Sequence, residues 1–284
     1  MTGHENTDAE FHDTEDRRQR TGRYAEWRRW GSAILVVASL TIMLTGGALA
    51  LRRLSRSVPW NGLAADIVNA LPASRDAGSK DTMSADEAER RYPKETSPVD
   101  FNGNGVDDYT DIVAGARKDA QAAPTYDSGY YQGGYPPDDR GACTDLVWRA
   151  FREAGYDLKA MVDADIEADP ASYAAVVGDP DPSIDFRRTG VLDVFFSKYG
   201  QTLTTDVSDR GQWQGGDIVV FEHVRHIGVI SDKRDSDGIP YVLHNMAQRQ
   251  RENNYLAFAR HMTVTGHYRF DASKVPQLVL KAWR

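Results

Sequence analysis

Cys143 is the single cysteine of the 284-residue chain, and it cannot form an internal disulfide. A thiol does hydrolytic chemistry as a thiolate, with an imidazole to hold the ion pair and to protonate the leaving group. The setting of Cys143 suits that use. It follows the turn-forming DDRGA at 138–142 and opens a run whose Leu146, Val147, Ala150, Phe151 and Ala154 fall on one helical face. At a helix N-terminus the open N–H groups and the dipole favour an anion, which lowers a thiol's pKa and can stabilise an oxyanion.

Two histidines stand where a partner is needed. His226 heads the apolar run HIGVIS at 226–231, directly after GDIVVF at 216–221, and His244 ends YVLH at 241–244. Adjacent antiparallel strands can set such residues side by side, so His226 is the expected base and His244 the group that orients its ring. Asn245 is the alternative third member, although period-2 alternation turns it to the opposite face. His223, His261 and His267 read as structural or surface residues.

These elements imply an architecture. Helical periodicity is expected over 111–122, 143–154, 173–177 and 191–198. Short β-branched or aromatic runs at 217–221, 227–230, 241–244 and 266–270, separated by turn-rich loops, are expected to be strands. Helices first and strands second means an α+β domain, with the cysteine helix packed on a C-terminal antiparallel sheet. That domain is expected over 98–284, after a charged, disordered cytoplasmic tail (1–30), a membrane span (31–51) and a polar linker with room for a short helix (52–97).

Residues 31–51 carry no charge, and at ~1.5 Å per residue they can cross a bilayer core of ~30 Å. Arg17, Arg18, Arg20, Arg23, Arg28 and Arg29 precede the segment, against Arg52, Arg53 and Arg56 after it, which favours an extracytoplasmic C-terminal domain. The expectation is a single-pass anchor; the alternative is secretion after cleavage near Ala50 within the small-x-small triplet at 48–50. The net charge of -8 gives no electrostatic support to nucleic-acid binding.

In order, YYQGG (130–134), RGAC (140–143), GD (216–217), HIG (226–228) and His244 resemble the motifs of NlpC-type, papain-like cell-wall cysteine peptidases. GGYPP (133–137), CTD (143–145), IDFRR (184–188), WQGGDI (213–218), HIGVISD (226–232) and GHYR (266–269) are more similar to the bacterial domain-of-unknown-function 1287 family. The resemblance covers about residues 98–284. It implies a papain-like fold and hydrolysis of amide bonds in peptidoglycan stem peptides by a monomer. Cys143 is followed by Thr144-Asp145 where NlpC peptidases carry Ser-Gly after the nucleophile, so their substrate preference does not transfer intact. With carboxylate-rich peptides as the implied substrate, Arg140, Arg187 and Arg188 become candidate binding groups and Asp139, Asp145 and Asp185 their partners. Asp145 is therefore also counted with the binding site. Tyr130 matches the aromatic of the lead-in and is expected beside the thiol.

One further motif lies at the start of the domain. Asp100, Asn102, Asn104, Asp108 and Asp111 occupy oxygen positions of an EF-hand-type loop, with Gly105 at the turn and the Val106 carbonyl as a sixth ligand. A structural calcium is the expectation; an acidic turn that caps the next helix is the other reading. No cofactor is expected for catalysis. Two other functions compete with the thiol hydrolase: a catalytically silent papain-like module that binds cell-wall peptides, and a metal hydrolase built on His223, His226, His244 and Asp232. The spacing of His223 and His226 suits a helix rather than the strand expected there.

Overall fold

The computed structural model describes residues 82–284, so the expected tail, membrane span and most of the linker lie outside the described residues. Among the described residues no helix is long and apolar enough to cross a membrane. The linker's last part is not a spacer: Met83 is buried, its N–H donates to the Arg234 carbonyl, and helix α1 (Ala85–Arg91) follows.

Most helices precede the sheet. α2 (Asp108–Ala122) starts three residues earlier than expected because Asp107 caps it, accepting from the Thr110 N–H. Two short strands, β1 (Thr125–Tyr126) and β2 (Arg140–Gly141), pair in parallel and lead into α3 (Cys143–Glu153). α4 (Leu158–Ala168) adds a helix beyond those expected. The helix expected over 173–177 lies instead one turn earlier, as α5 (Pro170–Tyr173), with Asp169 at its cap and proline in its first turn. α6 (Thr189–Tyr199) completes the helical part.

The strands β3 (Gly200–Thr202), β4 (Ile218–Phe221), β5 (His226–Arg234), β6 (Pro240–Leu243), β7 (Glu252–Asn253) and β8 (Val264–Phe270) form one sheet in the order β3-β8-β4-β5-β6-β7, antiparallel at every junction. The α+β expectation with a C-terminal antiparallel sheet holds.

Alternation along the strands makes two cores. Ile218 and Val220 of β4 and Ile227 and Val229 of β5 pack with the helices, including Leu146, Val147 and Phe151 of α3. Val219, Phe221 and Ile230 face the other way, onto Trp213 and Leu256. The two inner strands are therefore apolar on both faces, as a strand buried between two layers must be. Cys143, in the first turn of α3, packs in the helix-side core with Ile227 of β5, the residue next to His226.

Candidate active site

Cys143 is the first residue of α3, buried to 6% exposure. Ala142, the residue before it, has no side-chain acceptor, and its N–H is taken by the Asp145 carboxylate at 2.7 Å, half of a capping box. Around the sulfur stand the backbone N–H groups of Ile227 and Thr144 and the Thr189 hydroxyl. Each favours the thiolate, yet burial outweighs them and pushes the Cys143 thiol above its ordinary range. The expected thiol of low pKa is thus corrected: the helix N-terminus is here too dry to hold a resting anion.

The CTD and IDFRR motifs meet in one lock. The Thr144 hydroxyl donates to the Arg187 carbonyl at 3.1 Å. Asp145, fully buried, takes Arg187 Nε at 2.8 Å and Nη2 at 2.9 Å, a bidentate pair, and also the Trp148 indole N–H at 2.9 Å. Arg187 reaches on to the Gly129 and Asp127 carbonyls, so it fastens the loop ahead of β2 to the first turn of α3. Arg187 and Asp145 are therefore engaged with each other and with backbone rather than presented to a ligand, contrary to the expectation for both. Arg140 is exposed and pairs with Asp127 at 3.4 Å; Arg188 is exposed and pairs with Asp185 at 2.7 Å.

Gly141 is where β2 passes closest to α3. A Cβ there would stand 2.8 Å from Asp145 Cβ and 3.0 Å from Arg149 Nη1, which accounts for glycine in RGAC. Its carbonyl accepts from the Asn245 side-chain amide at 2.8 Å. Asn245 thus ties the sheet to the thiol's approach strand.

The imidazoles form their own buried pair. His226 Nε2 and His244 Nδ1 are 2.9 Å apart, and beyond them His244 Nε2 meets the Asn253 side-chain amide at 3.3–3.4 Å. Asn253 is held by donating to the Gln250 carbonyl at 2.7 Å. Burial, followed by the His244 charge, holds His226 well below the ordinary imidazole range. Burial brings His244 down to about 4 despite the opposing effect of Asn253. Burial thus favours the neutral form of both rings. Gly228 explains how they meet: a Cβ there would lie 2.9 Å from Val242 Cγ1 and 3.1 Å from His244 Cβ, so only glycine lets β6 bring His244 across to His226.

Tyr130 is exposed, with its hydroxyl 3.4 Å from Asp181. The tyrosine near the thiol is Tyr126, which sequence reasoning missed. It pairs with Gly141 in the β1–β2 register, and its hydroxyl, pushed up to about 12 by burial first, also feels the Cys143 and Asp145 charges. A two-residue strand carries no periodicity by which to find it.

The GD and GHYR motifs meet at one carboxylate. Asp217 collects Arg269 Nε at 2.7 Å, Arg269 Nη2 and His267 Nε2 at 2.9 Å and the Gln214 N–H at 2.8 Å, which joins the GD and GHYR runs. His223 lies in the β4–β5 turn, where Glu222, His223 and Val224 all have positive φ. In the 100–111 loop, Asp100 accepts from the Asn104 and Gly105 N–H groups. The Asn102 and Asn104 side-chain amides donate to Asp111 at 2.8 and 3.0 Å. Asp108 turns to the Phe101 N–H and the Tyr156 hydroxyl, and Val106 is exposed. Binding a cation through Asn102 and Asn104 would require both amides to turn their oxygens toward Asp111.

Comparison with known proteins adds kinship without chemistry. A family model described as Domain of unknown function (DUF1287) matches residues 113–270. The uncharacterized protein YijF of Escherichia coli (strain K12) is 36% identical over 168 residues, which cover 56% of this chain and 80% of that protein. No solved structure matches.

Proposed function

The chain belongs to the DUF1287 family, and from that premise we propose that it is an extracytoplasmic cysteine hydrolase of amide bonds in cell-wall stem peptides. The observation that carries this reading is the buried His226–His244 pair, 2.9 Å apart, on a strand whose next residue directs its N–H at the Cys143 sulfur. The motif resemblance to NlpC-type peptidases supplies the substrate class, and the apolar segment at 31–51 supplies the location.

The resting pair is neutral. In the proposed reaction His226 donates its Nε2 proton in a hydrogen bond to His244 Nδ1, so that Nδ1 of His226 is the basic nitrogen. The Cys143 proton moves there as sulfur attacks the scissile carbonyl carbon. The oxyanion forms near the Cys143 and Thr144 N–H groups that open α3, ahead of the first helical hydrogen bonds. Collapse breaks the C–N bond, the leaving amine takes the proton from the His226 imidazolium, and a thioester remains. Water then adds to the thioester while His226 takes its proton; the C–S bond breaks, the thiol is reprotonated and the carboxylic acid departs.

The second reading, a silent module that binds cell-wall peptides, has one observation in its favour: Cys143 is buried and its thiol is shifted upward. Incubation of the full chain and of Cys143→Ala with muropeptides, read by mass spectrometry, separates them. The hydrolase reading expects product from the parent alone. Product from neither, with binding retained in both, selects the silent module, and equal product from both ends the assignment to Cys143.

A further inference from the structure

Arg251 stands just ahead of β7, is only 7% exposed, and among the described residues enters no ion pair. Its Nη2 donates to the Pro124 carbonyl, whereas Nε and Nη1 are closed off from solvent and, among the described residues, meet no acceptor. A buried guanidinium is ordinarily paired, because a desolvated charge without a counter-ion is costly. We propose that a halide ion, chloride being the common one, binds between Arg251 and Arg149. The inference stands apart from the thiol chemistry.

The first support is the balance of charge. Burial holds the Arg251 guanidinium below its ordinary pKa, and Asp119, in the last turn of α2, is the charge that opposes the shift. Asp119 is already committed to another cation. Its Oδ1 accepts from Arg149 Nη1 at 2.6 Å, and both side chains are buried. Asp145, the next carboxylate that Asp119 feels, is matched by Arg187. Arg149 and Arg251 thus share one carboxylate, and the surplus is positive.

The second support is the balance of hydrogen bonds. Arg149 Nη2 donates to the Arg140 carbonyl at 2.7 Å, but its Nε is buried without an acceptor. Together with Arg251 Nε and Nη1, the open groups are donors, against Asp119 Oδ2 as the open acceptor. A water brings two hydrogens of its own and so needs acceptors as well as donors. A halide needs donors alone. Because these atoms are shut off from solvent, a monovalent ion suits them better than a polyvalent oxyanion, whose desolvation costs far more. Arg149 also lies against β2, since a Cβ at Gly141 would stand 3.0 Å from its Nη1. The ion would therefore tie the β6–β7 loop to the strand that leads into α3.

The test follows melting of the full chain in sodium chloride and in sodium gluconate at equal ionic strength. Chloride is expected to raise the melting temperature above that in gluconate, by roughly 3–6 °C for each tenfold rise in concentration beyond half-saturation. Arg251→Leu should melt at one temperature in both salts, while Cys143→Ala keeps the full chloride effect. A parent crystal grown in bromide should show an anomalous peak beside Arg251 Nε and Nη1. Equal melting of the parent in both salts, an undiminished chloride effect in Arg251→Leu, or an ordered water alone beside the guanidinium overturns the proposal. Should Arg251→Leu not fold, the bromide peak decides. No readout uses turnover, so the outcome is independent of whether Cys143 cleaves anything.

Discussion

Nδ1 of His244 stands 2.9 Å from Nε2 of His226, with both rings closed off from water. A single hydrogen bond between two neutral imidazoles fixes the tautomer of both, and which ring donates sets which nitrogen of His226 is basic. If the reaction runs as proposed, His226→Ala should lower kcat by on the order of 10²–10⁴-fold. His244→Ala should lower kcat less while leaving KM within experimental scatter. Steady-state kinetics on a muropeptide checks both; a His244→Ala enzyme of full kcat would remove that ring from the mechanism.

Acid should loosen the fold through the same pair. The folded-state pKa of His244, about 4, lies below the ordinary imidazole value of 6.5, so the unfolded chain binds the extra proton first. Stability is then fully present above pH 6.5 and falls as pH drops toward 4, by roughly 3 kcal/mol for this one group. Melting temperatures across that window should decline more steeply for the parent than for His244→Gln. Parallel curves would mean that the ring is not neutral and buried in solution.

Gly228→Ala should act on geometry rather than on chemistry. The added methyl would press Val242 Cγ1, the Leu243 carbonyl and His244 Cβ, all within 3.1 Å of its position. Overpacking of this kind costs about 1–3 kcal/mol, and it should shift β6 enough to reduce activity while Cys143 still reacts with a small alkylating probe. Urea unfolding and the alkylation rate report the two effects separately.

Arg187→Leu distinguishes a structural role from a substrate role. It would leave the fully buried Asp145 without its cation, a loss of about 3–5 kcal/mol for a broken interior pair. A large drop in melting temperature is expected. A stable variant with only KM raised would return Arg187 to the binding surface.

Tyr126→Phe keeps the ring and removes the hydroxyl near the sulfur. The residue as a whole is 42% exposed although its hydroxyl end is desolvated, so stability should hardly change. A fall in kcat of about tenfold, the worth of one ~1.4 kcal/mol hydrogen bond in a transition state, is expected if the hydroxyl touches the reacting atoms.

Much of this site can be read from sequence because its parts have strong local signatures. The apolar face of α3 announces the helix that Cys143 opens, and the paired runs at 216–221 and 226–231 announce the hairpin that carries His226. The juxtaposition of His226 and His244 follows from strand adjacency and is realised in the β5–β6 pairing. What stayed hidden depends on desolvation and on long-range partners. Burial reverses the expected effect of a helix terminus on the thiol, and no spacing rule reports burial. Asp145 and Arg187, 42 positions apart, read as charged residues until the fold makes each the other's counter-ion. α4 is masked in sequence because Asp165 occupies a buried position, where it accepts from the Tyr173 and Tyr199 hydroxyls.

The amide of Asn245 reaches the Gly141 carbonyl from 104 positions away. If Cys143 is the nucleophile proposed above, its cradle is finished only when the C-terminal sheet has been synthesised and folded against it. A ribosome-bound fragment ending before residue 226 carries the sulfur but neither ring, and so has nothing with which to deprotonate it. Late assembly of this kind would keep the nascent chain inert toward the amides around it until its sheet closes.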